Sequence, residues 1–139
     1  MNFNNLTFSQ KGKIYKRDTF IFKEHAIGME MYFIEFGEVG IVKKVGVVEV
    51  KLDMLDRGKF FGEMSLITGR KRVASAKAIT DCKVHTMNKV MFEKNLVNNK
   101  VFMKKIIEIL AFRLEETNIK LKDHALKVFR LLESRNITV

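Results

Sequence analysis

No run in the sequence approaches the ~18 uninterrupted apolar residues that a membrane-spanning helix requires. The N-terminal stretch MNFNNLTFSQKGK also lacks the basic-then-apolar order of a secretory signal. Both absences point to the cytosol. A single cysteine, Cys82, excludes an intramolecular disulfide and a cysteine cluster for zinc or iron-sulfur ligation. The histidines His25, His85 and His124 stand far apart, with no H-x-H or H-x-x-x-H pair, so metal-dependent chemistry has no obvious ligand set. No nucleophile stands beside a base that would activate it: Ser65 and Ser75 have no histidine or lysine placed for them, and binding rather than turnover is the expected chemistry. Proline is absent, which with the richness in Lys, Asn, Ile and Phe reads equally as compositional bias.

What is present suits one compact domain. The chain has 139 residues, 47% of them hydrophobic, enough for one sizeable core. A formal charge of +10 raises the question of nucleic acid. Yet the basic pairs Lys16-Arg17, Lys43-Lys44 and Lys104-Lys105 sit between apolar residues and near glutamates, with no long basic stretch.

From DTFIFKE through VHTM the dominant period is two, the strand signal. In VVEVKLDML the alternation puts Val48, Val50, Leu52 and Met54 on one face and Glu49, Lys51 and Asp53 on the other, a strand expected to be buried on one side. Gly37 and Gly40 interrupt EMYFIEFGEVGIVKK and fit turns or bulges. Ala74, Ala76 and Ala78 share a face that Cys82 and Val84 continue after a turn. Short strands with glycine-marked turns imply an antiparallel jelly-roll β-barrel over about residues 14–88.

The period then changes to a helical part over about 89–135. Asn88 is a good N-cap for KVMFEKNLV, and a long helix follows from about Val101. In it Met103, Ile107, Leu110, Leu114, Thr117 and Leu121 recur at steps of four and three, a heptad seam. Phe102, Ile106 and Ile109 form a second stripe beside it. Two stripes imply two partners: the barrel of the same chain and a helix of a second copy, hence a homodimer. A short terminal helix, from KDHALKVFRLLESRNITV, closes the chain.

The stretch GKFFGEMSLITGRKRVASAKA carries the chemistry. Glycine lets a backbone approach an anion, and N–H groups at a turn into a short helix form a nest for phosphate oxygens. Arg72 adds a planar, permanently charged donor fork. Glu63 in the same pocket requires donors of its own, and a sugar hydroxyl supplies them. A phosphorylated sugar held within a barrel fits both groups. The plainer alternatives are a surface role for Arg72 and a helix-capping role for Glu63; Arg70 and Lys71 read as solvated, and Cys82 and the methionines as core or seam filler.

These residues resemble the phosphate-binding cassette of cyclic-nucleotide-binding domains, F-G-E-[LIM]-[AS]-L followed by a short loop and R-[STAV]-A-[ST]; here FGEMSL, ITGRK and RVAS match at every position. FIFKEHAIGMEMYFIEFGEVGIVKK resembles the family's first strands, and RLEETNIKL the long helix of the catabolite activator protein group. The resemblance implies that Glu63 accepts from the ribose 2'-hydroxyl and that Arg72 pairs with the cyclic phosphate. Backbone N–H groups of Gly62, Met64, Ser65 and Val73 complete the cradle, with Ala74 beside them. It also implies that Leu52 and Leu55 line the pocket against ribose and base, and that Thr117 and Asn118 meet adenine. A Thr or Ser after the arginine assists cGMP in this family; Val73 stands here, which favours cAMP.

The sequence also departs from the family. HAIGMEM lacks the acid of the usual Gly-Asp turn, and the helices that often precede the barrel are absent or shortened. Too few residues follow Asn118 for a helix-turn-helix domain, so output is expected to pass to an effector protein or to a domain of a longer chain. Two alternatives stay open: a transcription-regulator sensor acting on DNA through the basic tail LKDHALKVFRLLESR, and a dimerising scaffold without ligand.

Overall fold

The computed structural model describes residues 5–134, which fall into two compact units divided between Asn99 and Lys100. The first unit contains eight strands: β1 (Gln10–Tyr15), β2 (Phe20–Phe22), β3 (Glu30–Phe36), β4 (Val39–Val45), β5 (Val48–Leu55), β6 (Phe60–Phe61), β7 (Ser75–Ala78) and β8 (Cys82–Asn88). It also holds two helices, α1 (Glu63–Thr68) between β6 and β7, and α2 (Lys89–Asn98) after β8. The strands form two four-stranded antiparallel sheets, in the orders β1-β8-β3-β6 and β2-β7-β4-β5. This is the expected jelly-roll class, with β1 starting a few residues earlier than the periodicity indicated.

The core lies between the sheets, where the alternation of β3, β7 and β8 sends one set of side chains inward. Tyr32, Ile34, Val39, Phe61, Ala76, Ala78, Cys82 and Val84 are buried together, with Phe22, Ile41 and Leu55 packed against them. The alanine-cysteine-valine face read from the sequence is therefore an inner face. Burial pushes the Cys82 thiol up to about 11, in keeping with a small hydrophobe rather than a nucleophile. His85 is buried too: the Gly12 N–H donates to its Nδ1 at 3.0 Å, and its Nε2 lies 3.5 Å from Glu35 Oε1, a structural role.

β5 departs from its sequence reading. Asp53 stands opposite Ile41 and Lys51 opposite Val42, so Leu52 is an extra residue in the ladder and the two-faced alternation breaks there. Val48, Val50, Leu52 and Met54 do not share a buried face; they are 59%, 37%, 56% and 39% exposed. β5 is the edge of its sheet, paired on one side only, and only Leu55 at its end reaches the core.

α2 begins as its sequence signals: the Met91 N–H donates to the Asn88 side chain at 2.9 Å. Within α2, buried Asn95 accepts from the Thr7 N–H at 2.9 Å and donates to the Thr7 carbonyl at 2.8 Å, fastening the N-terminal segment. The second unit is one helix, α3 (Lys100–Ser134), of 35 residues. The separate terminal helix expected from the sequence is the distal part of α3, because Lys122-Asp123-His124 is polar but contains no glycine or proline to stop the helix. Arg135, where the helical part was expected to end, lies outside the described residues.

Replacing Asn95 with alanine leaves the N–H and carbonyl of Thr7 without their partner. The expected loss is roughly 1–3 kcal/mol of unfolding free energy, read as a lower urea midpoint at unchanged slope.

Candidate functional site

The site forms where α1, the strand start at β7 and the loop between β2 and β3 converge. Gly62 enters α1 with φ 81°, a left-handed conformation that favours glycine. A Cβ there would stand 3.3 Å from the rings of Phe22 and Tyr32 and 2.9 Å from Arg72 Nη1. Glu63 opens the helix and is fully buried, Ser65 is buried as well, and Met64 is exposed.

Arg72 is 4% exposed. Its backbone is clamped from both sides: the Arg72 N–H donates to the Ala26 carbonyl, and the His25 N–H to the Arg72 carbonyl, each at 2.8 Å. Its Nη1 donates to the Gly62 carbonyl and its Nη2 to the Glu30 carbonyl, both at 2.5 Å. The guanidinium carbon lies 4.0 Å from the centre of the Phe22 ring and 6.0 Å from that of Tyr32, a cation held over aromatic faces. Nε is buried without a hydrogen-bond partner. Burial lowers the guanidinium pKa, opposed by Tyr32, Glu30 and Glu63 nearby. Burial, reinforced by Glu30, keeps the Tyr32 phenol protonated well above its usual range, and its hydroxyl donates to Glu30 Oε2 at 3.2 Å.

Among the residues named from sequence, Gly62, Glu63, Ser65 and Arg72 come together; Ala74 is buried beyond them, and Val73 is 75% exposed. Leu55 reaches the core, while Leu52 is largely exposed at the β5 irregularity. Thr117 and Asn118 are exposed on α3 in the second unit, and the Thr117 hydroxyl donates to the Arg113 carbonyl one turn earlier at 2.9 Å. Arg70 and Lys71 are exposed, as expected. Ser75 is spoken for, since its Oγ accepts from the Glu24 N–H at 2.8 Å.

Sequence reasoning missed four contributors: Phe22 and Tyr32 under the guanidinium, Gly28 and His25. A Cβ on Gly28 would fall 2.3 Å from Ser65 Cβ and 2.7 Å from Arg72 Nε, so the loop approaches the cassette only as glycine. His25 takes φ 72°, the left-handed region, at the residue whose N–H fastens Arg72. A lone glycine within HAIGMEM was the one available signal for this loop.

The sequence matches the cyclic nucleotide-binding domain family over residues 13–99. The chain belongs to that family. It is 36% identical over 78 residues to the mouse (Mus musculus) potassium/sodium hyperpolarization-activated cyclic nucleotide-gated channel 2, a match covering 56% of this chain and 9% of the channel. The chain thus spans under a tenth of that relative. In fold it is similar to the Thermus thermophilus catabolite activator protein, with a TM-score of 0.77 at 24% identity, covering 88% of this chain and 62% of that one. The cAMP-bound form of the EAL enzyme Bd1971 aligns with a TM-score of 0.60 at 27% identity, over 86% of this chain and 33% of the enzyme. Its cGMP-bound form gives 0.63 at the same identity, over 86% and 34%. Among the described residues no helix is long and apolar enough to cross a membrane.

His25→Gly relieves the left-handed backbone and keeps the N–H that holds Arg72. Strain relief outweighs the added freedom of the unfolded chain by roughly 0.5–1 kcal/mol, seen as a Tm higher by a few degrees.

Proposed function

We propose that the chain is a regulatory sensor that binds a cyclic nucleotide, cAMP in preference to cGMP, and passes the signal through α3 to an effector protein. The observation that carries this reading is the buried Arg72 guanidinium, whose terminal nitrogens donate to the Gly62 and Glu30 backbone carbonyls and whose Nε has no hydrogen-bond partner among the described residues. Charge-assisted hydrogen bonds are about twice as strong as neutral ones, so a phosphate is a better acceptor set than the two carbonyls. Gly62, with the N–H groups of Met64, Ser65 and Val73, frames the same anion. Glu63 takes the ribose hydroxyl, and Leu52, Leu55 and Ala74 take the sugar and base side. Thr117 and Asn118 on α3 receive the adenine edge.

The preference for cAMP rests on Val73, which offers no hydroxyl to a guanine. Output follows only if the nucleotide binds one arrangement of the chain more tightly than another. The domain is taken to act in the cytosol, without catalysis, and as a homodimer through α3, whose seam residues Met103, Ile107, Leu114 and Leu121 are exposed in the single chain. The whole chain is read as one functional module, barrel and α3 together.

Isothermal titration with cAMP and separately with cGMP tests this, after any nucleotide carried through purification has been extracted. Saturable cAMP binding near one per chain is expected, with weaker cGMP; no heat with either overturns the sensor reading in favour of the scaffold. Arg72→Ala should weaken cAMP binding roughly ten- to a hundredfold, the ~1.5–3 kcal/mol of a charged hydrogen-bond partner. Val73→Thr should narrow the gap between the nucleotides, and an unchanged ratio would sink the selectivity argument.

A further inference from the structure

We propose that the tip of the β4–β5 hairpin docks on an anionic lipid surface, independently of the nucleotide site. The hairpin outruns its sheet. β4 is paired with β7 only as far as Val42, opposite Ser75, whereas its pairing with β5 continues to Val45 opposite Val48. Beyond Val42 the two strands hold only each other, as an arm in which residues 44–51 are exposed throughout. Gly46-Val47 closes the arm, and Val47 is 94% exposed. Two-residue hairpin turns favour Gly, Asn and Asp, and a two-stranded ribbon gives a valine little to pack on. Val45, Val48 and Val50 are exposed as well, so four valines gather at a projecting end.

The rest of the arm decides what covers these valines. Residues 43–51 read KKVGVVEVK, three lysines to one acid, and that acid, Glu49, lies 3.4 Å from Lys77. Lys43 lies 3.7 Å from Glu24, while Lys44 and Lys51 are exposed. At ~3.3 Å per residue, the valines at 45, 47 and 48 fall within about 7 Å of the tip. Apolar groups of peripheral proteins enter the boundary of headgroups and acyl chains to about the same depth, ~5–10 Å. Lys44 stands next behind them and Lys51 further back, on stems that let their ammonium groups stay among the lipid phosphates. Protein interfaces are enriched in Trp, Tyr and Arg and depleted in Lys; the arm has lysines and none of those three. Nucleic acid would use the lysines and leave the valines wet. A lipid surface uses both, and two weak attachments together make a stable but reversible one.

The chain has no tryptophan, so Val47→Trp installs a single fluorophore at the tip, and Val97→Trp places one at an exposed position of α2 instead. With vesicles of equal parts phosphatidylcholine and phosphatidylserine, the emission of Val47→Trp should shift to the blue; with phosphatidylcholine alone it should not. Val97→Trp should stay unshifted with both, and equal shifts at the two positions overturn docking through the tip. In vesicle co-sedimentation of the tryptophan-free chain, Val47→Asp should lower the affinity roughly tenfold or more, and so should Lys44→Gln combined with Lys51→Gln. No pelleting with the anionic vesicles overturns the proposal and leaves the arm to a protein partner. Pelleting that survives Val47→Asp and vanishes in high salt also overturns it, as adsorption of the chain's charge of +10.

Discussion

Burying one guanidinium is the constraint around which the first unit is arranged. A cation taken out of water is costly unless donors and field are matched. Arg72 is matched in three ways: by carbonyls from Gly62 and Glu30, by aromatic faces from Phe22 and Tyr32, and by the negative field of Glu30 and Glu63. They come from three parts of the chain. β2 brings Phe22, β3 brings Glu30 and Tyr32, and the turn into α1 brings Gly62. The loop from His25 to Gly28 holds the arginine's backbone and leaves no room for a side chain at Gly28. The two sheets therefore do more than enclose a core: they deliver the groups that let a charge sit inside it.

That arrangement explains which parts of the site were legible in the sequence. Gly62, Glu63, Ser65 and Arg72 lie within eleven positions of one another, so their spacing could be read directly. Phe22, Glu30 and Tyr32 reach Arg72 across 40 or more positions, and nothing local marks them; Phe22 and Tyr32 look like any aromatic on an alternating strand. His25 gave no signal because left-handed backbone is a property of the loop's path. The alanines of β7 and the cysteine and valine of β8 were legible as an inner face because both strands are flanked by neighbours on each side. β5 was misread for the opposite reason. A strand paired along one edge tolerates an extra residue, and β5, irregular at Leu52, is exposed on both faces until Leu55, so the alternation that appeared cleanest on paper marks no buried side.

The helical part failed differently. A separate terminal helix was expected from KDHALKVFRLLESRNITV, but polar residues such as Lys122-Asp123-His124 only set which face a helix shows to water, whereas ending a helix takes a stop signal. Once α3 runs unbroken, Thr117 changes meaning too. Its hydroxyl is satisfied by the Arg113 carbonyl, so its place in the seam leaves no unmet hydrogen bond in the single chain. If it meets a purine edge as proposed, one acceptor would be exchanged for another.

The same logic of exchange separates the arginine from the threonine as determinants of binding. On the proposed reading Thr117 would give up a hydrogen bond about as good as the one it gained, so it would discriminate among ligands more than add affinity. Arg72 has more to gain. Its Nε is a buried donor without an acceptor, a situation that costs on the order of 1–3 kcal/mol. An anion that reaches it removes that cost and replaces two neutral acceptors with charged ones. On the proposed reading the Gly62 and Glu30 carbonyls would lose their donor in the process, so an anion bound at Arg72 would be coupled to the turn into α1 and to the start of β3, the backbone on both sides of the cassette.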